Sequence, residues 1–134
     1  MRVMGTSGTG FTSDIIQGLL FAGGLPNSTG SVYQGATPIK AMNLSLGSTG
    51  GGCSSSYQGV FNDLYDRNIS VVSSSGNAAQ EAPGAYGDPA SCENVISVGA
   101  TAATGLRAYY STYNDAVDIA APGGEVGADL IADG

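Results

Sequence analysis

Apolar positions at helical spacing predict two helices. The clearer stripe predicts a helix over residues 54–67 and consists of Tyr57, Val60, Phe61, Leu64 and Tyr65. Ser55 and Gln58 have the spacing of a capping box at its start, and Asn68 is a suitable residue for its C-terminal cap. The other helix is predicted to open at 12–14, with Asp14 and Gln17 at capping-box spacing. Its stripe consists of Ile15, Ile16, Leu19 and Leu20.

Short apolar runs predict the strands. Four strands are expected, the first two of them buried, over residues 39–45, 69–73, 94–98 and 117–120. Residues 107–111 predict an edge strand, and residues 2–4 the end of another. The helix predicted over 54–67 lies between the runs 39–45 and 69–73. A strand–helix–strand unit of this kind makes its two strands parallel. The predicted fold class is therefore α/β, with a largely parallel sheet and helices on its faces.

Composition limits the classes of partner. The 134 residues suit one domain, and 4 basic against 11 acidic residues give a formal net charge of −7. Nucleic acid is an unsuitable partner, because phosphate neutralisation needs clustered Lys and Arg. No apolar run reaches the roughly 20 residues of a membrane helix. The first five residues do not form a signal peptide, and an apolar run that begins in the last five residues is cut off. We therefore expect residues 1–134 to be one incomplete domain segment.

The two cysteines, Cys53 and Cys92, follow small residues at expected loops. Free thiols are the usual state in a cytosolic protein, whereas loop cysteines of a secreted protein tend to pair. Acidity with few lysines suits a secreted protein, which favours a disulfide. Two sulfurs without histidine cannot complete a four-ligand zinc site.

Small residues follow the predicted strands at three places, 8–10, 45–47 and 74–77. Sites of open parallel sheets form at the carboxyl ends of strands. Asn77 offers a side-chain NH2 there, and such a donor can stabilise the oxyanion of an acyl-transfer intermediate. An isolated Gly-Asn pair would more simply make a turn. The glycines of 5–10 also suggest a phosphate loop, but no Lys follows them, which makes a nucleotide-binding α/β domain the weaker alternative.

These segments carry a family resemblance. The runs 42–47, 71–77, 88–101 and 118–123, in this order and at these intervals, resemble the middle of subtilisin-like serine proteases of the secreted bacterial type. The resemblance extends from Arg2 to about Gly124. It implies an incomplete three-layer α/β/α fold, secretion of the parent protein, a protein or peptide substrate in extended conformation, and no organic cofactor. The cysteine positions are similar to those of members with a disulfide here.

The resemblance also implies site roles. Asn77 takes the position of the oxyanion-hole asparagine. A backbone rail is a segment whose backbone hydrogen-bonds to the extended substrate. One such rail and one wall of the primary specificity pocket match Ser45, Leu46 and Gly47, and the opposite wall matches Ser74, Ser75 and Gly76. The second rail matches Gly8, Thr9 and Gly10, while a more distant subsite matches Thr12 and Ile15.

A structural cation site is implied as well. Asp118 matches an aspartate that binds a cation together with two backbone carbonyls, here those of Glu93 and Val95. Calcium takes oxygen ligands of this kind, although a solvated turn aspartate explains Asp118 nearly as well. The remaining carboxylates considered show no ligand spacing and are interpreted as solvated charges: Asp88, Asp115, Glu125 and Asp129.

The departure from the family pattern is large, because none of the three catalytic residues lies in this segment. It contains no histidine, and a Ser-His-Asp hydrolase needs an imidazole base. In the family the catalytic Asp and His precede this segment, and the Ser, in a Gly-Thr-Ser-Met sequence, follows it. The segment is therefore expected to supply an oxyanion donor and a cleft, to need the remaining parts of the catalytic domain, and to be inactive alone. A truncated pseudoprotease or peptide-binding module is the alternative.

Overall fold

A computed structural model describes residues 2–79, 82 and 84–124. Two helices, α1 (Thr12–Ala22) and α2 (Ser55–Asp66), accompany a single sheet. Its strands are β1 (Ala41–Leu44), β2 (Ser70–Ser74), β3 (Val95–Thr101) and β4 (Ile119–Pro122). They lie in the order β1-β2-β3-β4, and every neighbouring pair is parallel. The predicted α/β class with a parallel sheet is confirmed.

Helix α2 follows its apolar stripe closely. Ser54 is the N-cap, one residue before the predicted Ser55, and its side chain accepts the Tyr57 backbone N–H. At the other end, Asn68 has a positive φ of 57°. Its N–H donates to the Tyr65 carbonyl while the N–H of Ile69 donates to that of Leu64, which is a Schellman motif. Asn68 thus performs the expected capping role.

One face of the sheet carries the core. Both helices pack there, and the largest fully buried side chains are Phe61, Leu64 and Val71. Burial alternates along β3, where Val95 and Ser97 are buried while Ile96 on the other face is 43% exposed. The described residues therefore form two of the three expected layers. None of their helices has the length and apolar character that a membrane crossing requires.

Several local predictions were wrong. Helix α1 opens within the predicted 12–14, at Thr12, but the Asp14–Gln17 capping box is absent, because the N–H groups of Asp14 and Ile15 already donate to the Phe11 carbonyl. Gln17 is therefore too deep in the helix to cap it, and its side chain accepts the Ser28 N–H instead. Residues 2–4 form no strand.

The predicted edge strand 107–111 is also absent. Only Arg107 forms an isolated bridge, with Thr101. The chain then turns, with the Ser111 N–H donating to the Ala108 carbonyl, so a further strand cannot form here. The strand β4 begins at Ile119, two residues later than predicted, because pairing with β3 sets its limits.

Candidate functional site

Two neighbouring cavities lie at the carboxyl ends of β1 and β2. The inner cavity, of about 310 Å³, is bordered by residues 45–49, 74–78, 87–88 and 90. The outer cavity, of about 200 Å³, is bordered by residues 8–10, 46–48, 88 and by Met4, Thr12, Ile15 and Tyr57. Because residues 46–48 and Asp88 border both, the two cavities share one wall.

Asn77 projects from the turn after β2 and borders the inner cavity. Asn77 is exposed, and its side chain has no hydrogen bond within the part of the chain that is described. The amide NH2 is therefore available to a ligand. Asn77 also borders a second opening, over the outer face of the sheet, together with residues of β3 and β4.

The turn that carries Asn77 is held by Thr112. The Thr112 hydroxyl accepts the Ala78 N–H at 3.0 Å, and its backbone N–H donates to the Gly76 carbonyl at 2.9 Å. Gly76 has a φ of 109°, a conformation that side-chain-bearing residues rarely adopt. A Cβ there would also approach the Thr112 hydroxyl to 3.0 Å. The position of Asn77 thus depends on a glycine and on a buried threonine.

The wall shared by the cavities is formed by two crossing loops. The Ser48 N–H donates to the Asp88 carbonyl at 2.8 Å. A Cβ on Gly87 would lie only 1.9 Å from the Ser48 carbonyl oxygen, and one on Gly47 would lie 2.7 Å from that of Asp88. Glycine is required at both positions because the backbones approach so closely.

A disulfide between Cys53 and Cys92 fastens the second loop to the start of α2. It closes a separation of 39 residues, which stabilises the fold by about 4 kcal/mol in the chain-entropy model. The resemblance implied this pairing. The cysteines also lie near the Asp88 carboxylate, but disulfide sulfurs are not available as thiolate ligands for a metal.

Asp88 is not the solvated charge that its sequence context suggested. It is half-buried, and its Oδ1 accepts the backbone N–H of Ser54 at 2.8 Å. Its charge reaches the buried phenol of Tyr57. Burial, first, and the Asp88 carboxylate, second, raise the pKa of Tyr57 above its usual value, while a hydrogen bond with Thr12 works against this shift.

The other acidic residues differ among themselves. Asp115 is exposed but hydrogen-bonded to the Tyr86 hydroxyl, so it too has a specific partner. Glu125 and Asp129 lie outside the described residues. Nearby, the Arg107 guanidinium lies over the Tyr113 ring, 4.3 Å from its centroid.

The predicted site residues fall into two groups. The inner cavity brings together both predicted walls and Asn77: Ser45, Leu46, Gly47, Ser74, Ser75 and Gly76. Gly8, Thr9 and Gly10 do not border it. They lie across the outer cavity from Leu46 and Gly47, with the predicted distant-subsite residues Thr12 and Ile15. Residues of both predicted rails therefore border one cavity.

The residues expected to bind a cation are only partly convergent. Asp118 and Val95 border one cavity at the opposite end of the strands. Oδ2 of Asp118 accepts the Ser97 N–H at 2.8 Å, and the Glu93 carbonyl accepts Gln58 Nε2 at 3.1 Å. Carboxylate and carbonyl oxygens can accept more than one contact, so Asp118 and Glu93 keep acceptor capacity for a hard cation.

Sequence reasoning missed Asp88, Tyr57 and Thr112. Asp88 is 34 residues from the Ser54 N–H that it accepts, and Thr112 is 34 residues from Ala78. No local spacing signals such contacts. For Tyr57, the helical stripe indicated burial but not a cavity wall.

Comparison with known proteins places the chain in a family. The model of the Subtilase family matches residues 1–133. The extracellular protease of Xanthomonas campestris pv. campestris is 36% identical over 126 residues, which are 94% of this chain and 21% of that protein. Subtilisin Savinase of Lederbergia lenta is 35% identical over 123 residues, which are 92% of this chain and 39% of that protein.

Solved structures agree. A protease from Pseudoalteromonas arctica PAMC 21717 superposes on 95% of this chain with a TM-score of 0.81 and 35% identity. The superposed part is 36% of that structure. A cold-adapted subtilisin-like serine proteinase matches 91% of the chain with a TM-score of 0.69 and 25% identity, covering 39% of that structure. The chain thus spans well under half the length of these relatives. It belongs to the subtilase family.

Proposed function

We propose that this chain is the substrate-binding and oxyanion-stabilising segment of a serine endopeptidase that cleaves peptide bonds through an acyl-enzyme. In this proposal Asn77 donates its amide N–H to the oxyanion that forms when the nucleophile attacks the substrate carbonyl. The observation that carries the proposal is the unengaged Asn77 amide at the border of the inner cavity. Residues 1–134 would then be one segment of a larger catalytic domain.

The substrate would lie extended between the rails 8–10 and 45–47. Backbone hydrogen bonds to two strand-like edges hold a peptide without reading its side chains, and pockets beside the edges then select side chains. The inner cavity, between residues 45–47 and 74–76, would take the side chain next to the cleaved bond. Secretion is proposed too, because relatives are named extracellular proteases and a disulfide is present.

The chain alone is expected to have no peptidase activity. It lacks histidine, so no imidazole can accept the proton of an attacking hydroxyl. The complete polypeptide should hydrolyse a casein-derived peptide and lose that activity with a serine-directed fluorophosphonate. Hydrolysis by the purified 134-residue chain, abolished by the same reagent, would contradict the prediction. Stoichiometric peptide binding by the complete polypeptide, without any cleavage, would instead favour a pseudoprotease.

Calcium at Asp118 is a second proposal, with a structural role only. The ion would be held by a carboxylate oxygen of Asp118 and by the carbonyls of Glu93 and Val95, and would tie β3 to the chain before β4.

We expect calcium at ten times its Kd to stabilise the complete polypeptide by about 1.4 kcal/mol, measured as a rise in Tm. The variant Asp118→Asn should lose this rise, whereas Asp63→Asn, on the exposed face of α2, should retain it. An equal rise in both variants would exclude Asp118 as a ligand.

A further inference from the structure

Asp88 borders both cavities, and one oxygen of its carboxylate is unused. Its Oδ1 is occupied by the Ser54 N–H, and among the described residues no hydrogen bond engages Oδ2. The residue is half-buried, so this carboxylate is less screened by water than a surface charge. A ligand that enters either cavity meets a negative group with acceptor capacity to spare.

The group on which the Asp88 carboxylate acts belongs to the outer cavity. The backbone carbonyl of Asp88 is turned to the Ser48 N–H, within the shared wall. Its side chain extends instead to the start of α2, where it acts on the phenol of Tyr57. Tyr57 borders the outer cavity and not the inner one.

The rest of the outer cavity is uncharged. Apolar side chains of Met4, Ile15 and Leu46 border it, together with small residues, and no lysine or arginine is among its described lining residues. Arg2 borders the adjoining cavity, where its Nε donates to the Met4 carbonyl. An apolar wall with one carboxylate matches a long aliphatic stem that ends in a cation.

We propose that Asp88 makes the outer cavity selective for a lysine or arginine side chain of the substrate, several residues away from the cleaved bond. This inference rests on the proposed peptidase function. The cationic head would bind at Oδ2 of Asp88 near the Tyr57 hydroxyl, and the stem would lie along Ile15 and Leu46. Asp88 is then a specificity-determining residue and takes no part in the chemical step.

A purely structural role for Asp88 makes a different prediction. In that case only the hydrogen bond to Ser54 matters, and asparagine can make it through its side-chain carbonyl. The variant Asp88→Asn therefore preserves the hydrogen bond and the volume but removes the charge. Asp63→Asn is the matched control, because it makes the same change of residue type at an exposed position of α2. Asp63 borders neither cavity.

The test uses the complete polypeptide and peptides that differ at one position only. Lysine, norleucine or glutamate is placed in turn at each of the four positions before the cleaved bond, and kcat/KM is measured. We expect lysine to be preferred over norleucine about three- to tenfold at one of these positions, the range of a partly screened charged contact. In Asp88→Asn this ratio should fall to about one, and in Asp63→Asn it should be unchanged.

The possible failures are distinguishable. A lysine preference that persists in Asp88→Asn, or no lysine preference at any position, would overturn the inference while leaving the peptidase function intact. No cleavage of any peptide by the unaltered polypeptide would overturn the proposed function and the inference with it. An unchanged Tm in Asp88→Asn would show that any lost preference does not arise from unfolding.

Discussion

Replacing Asn77 by alanine in the complete polypeptide is expected to lower kcat by about 10²–10³-fold, with little change in KM. This magnitude is the one measured for the loss of an oxyanion-hole donor in a subtilisin, a member of the same family. In the proposed role, the Asn77 amide acts on negative charge that exists only during attack on the carbonyl, so its loss should affect turnover and not ground-state binding. Steady-state kinetics with one peptide substrate measure both parameters.

The structure makes this experiment easy to interpret. Asn77 is exposed and its side chain has no hydrogen bond within the described residues, so removing it should change the free energy of unfolding by less than about 0.5 kcal/mol. Asn77→Asp is the matched variant, since it keeps the size of the side chain but replaces the NH2 donor by an acceptor. It should be at least as impaired as Asn77→Ala. A rise in KM at unchanged kcat would contradict the oxyanion role.

Replacing Phe61 by alanine is expected to lower the free energy of unfolding by about 3–5 kcal/mol. Phe61 is fully buried at the centre of α2 and its ring stacks on that of Tyr57, with 5.5 Å between centroids. The substitution leaves a cavity that the rigid sheet cannot fill. The urea midpoint of the complete polypeptide, at an unchanged m value, is the measurement.

Tyr65→Ala is the control on the same helix. Tyr65 belongs to the predicted apolar stripe but is 62% exposed, so its loss should shift the midpoint much less. Equal shifts for the two variants would show that α2 does not pack as described. Because Phe61 supports Tyr57, the Phe61 variant should also weaken any selectivity of the outer cavity.

Sequence patterns were sufficient where the interaction is local. The stripe of α2 and its capping by Asn68 involve residues within a few turns of one another, and both were predicted. Strand limits were less accurate, because they depend on the neighbouring strand. Thus β3 continues to Thr101, three residues past its predicted end, where β4 pairs with it.

The site was predictable to the same extent. Asn77 and the two walls follow strand ends, and parallel strands necessarily bring their ends to one edge. Asp88 was misread because its partner Ser54 is distant in sequence and the contact needs the disulfide-linked loop to fold back. Thr112 was overlooked for the same physical reason, since its hydroxyl meets the Asn77 turn only after β3 and the following loop are placed.

The disulfide between Cys53 and Cys92 determines what a proteolytic cut does to the chain. Any single backbone cut between residues 54 and 91 leaves two fragments that remain covalently joined. The wall formed by residues 74–76 lies within this span, so a cut there would not release it. Such nicked molecules would migrate as one species until a reductant separates them.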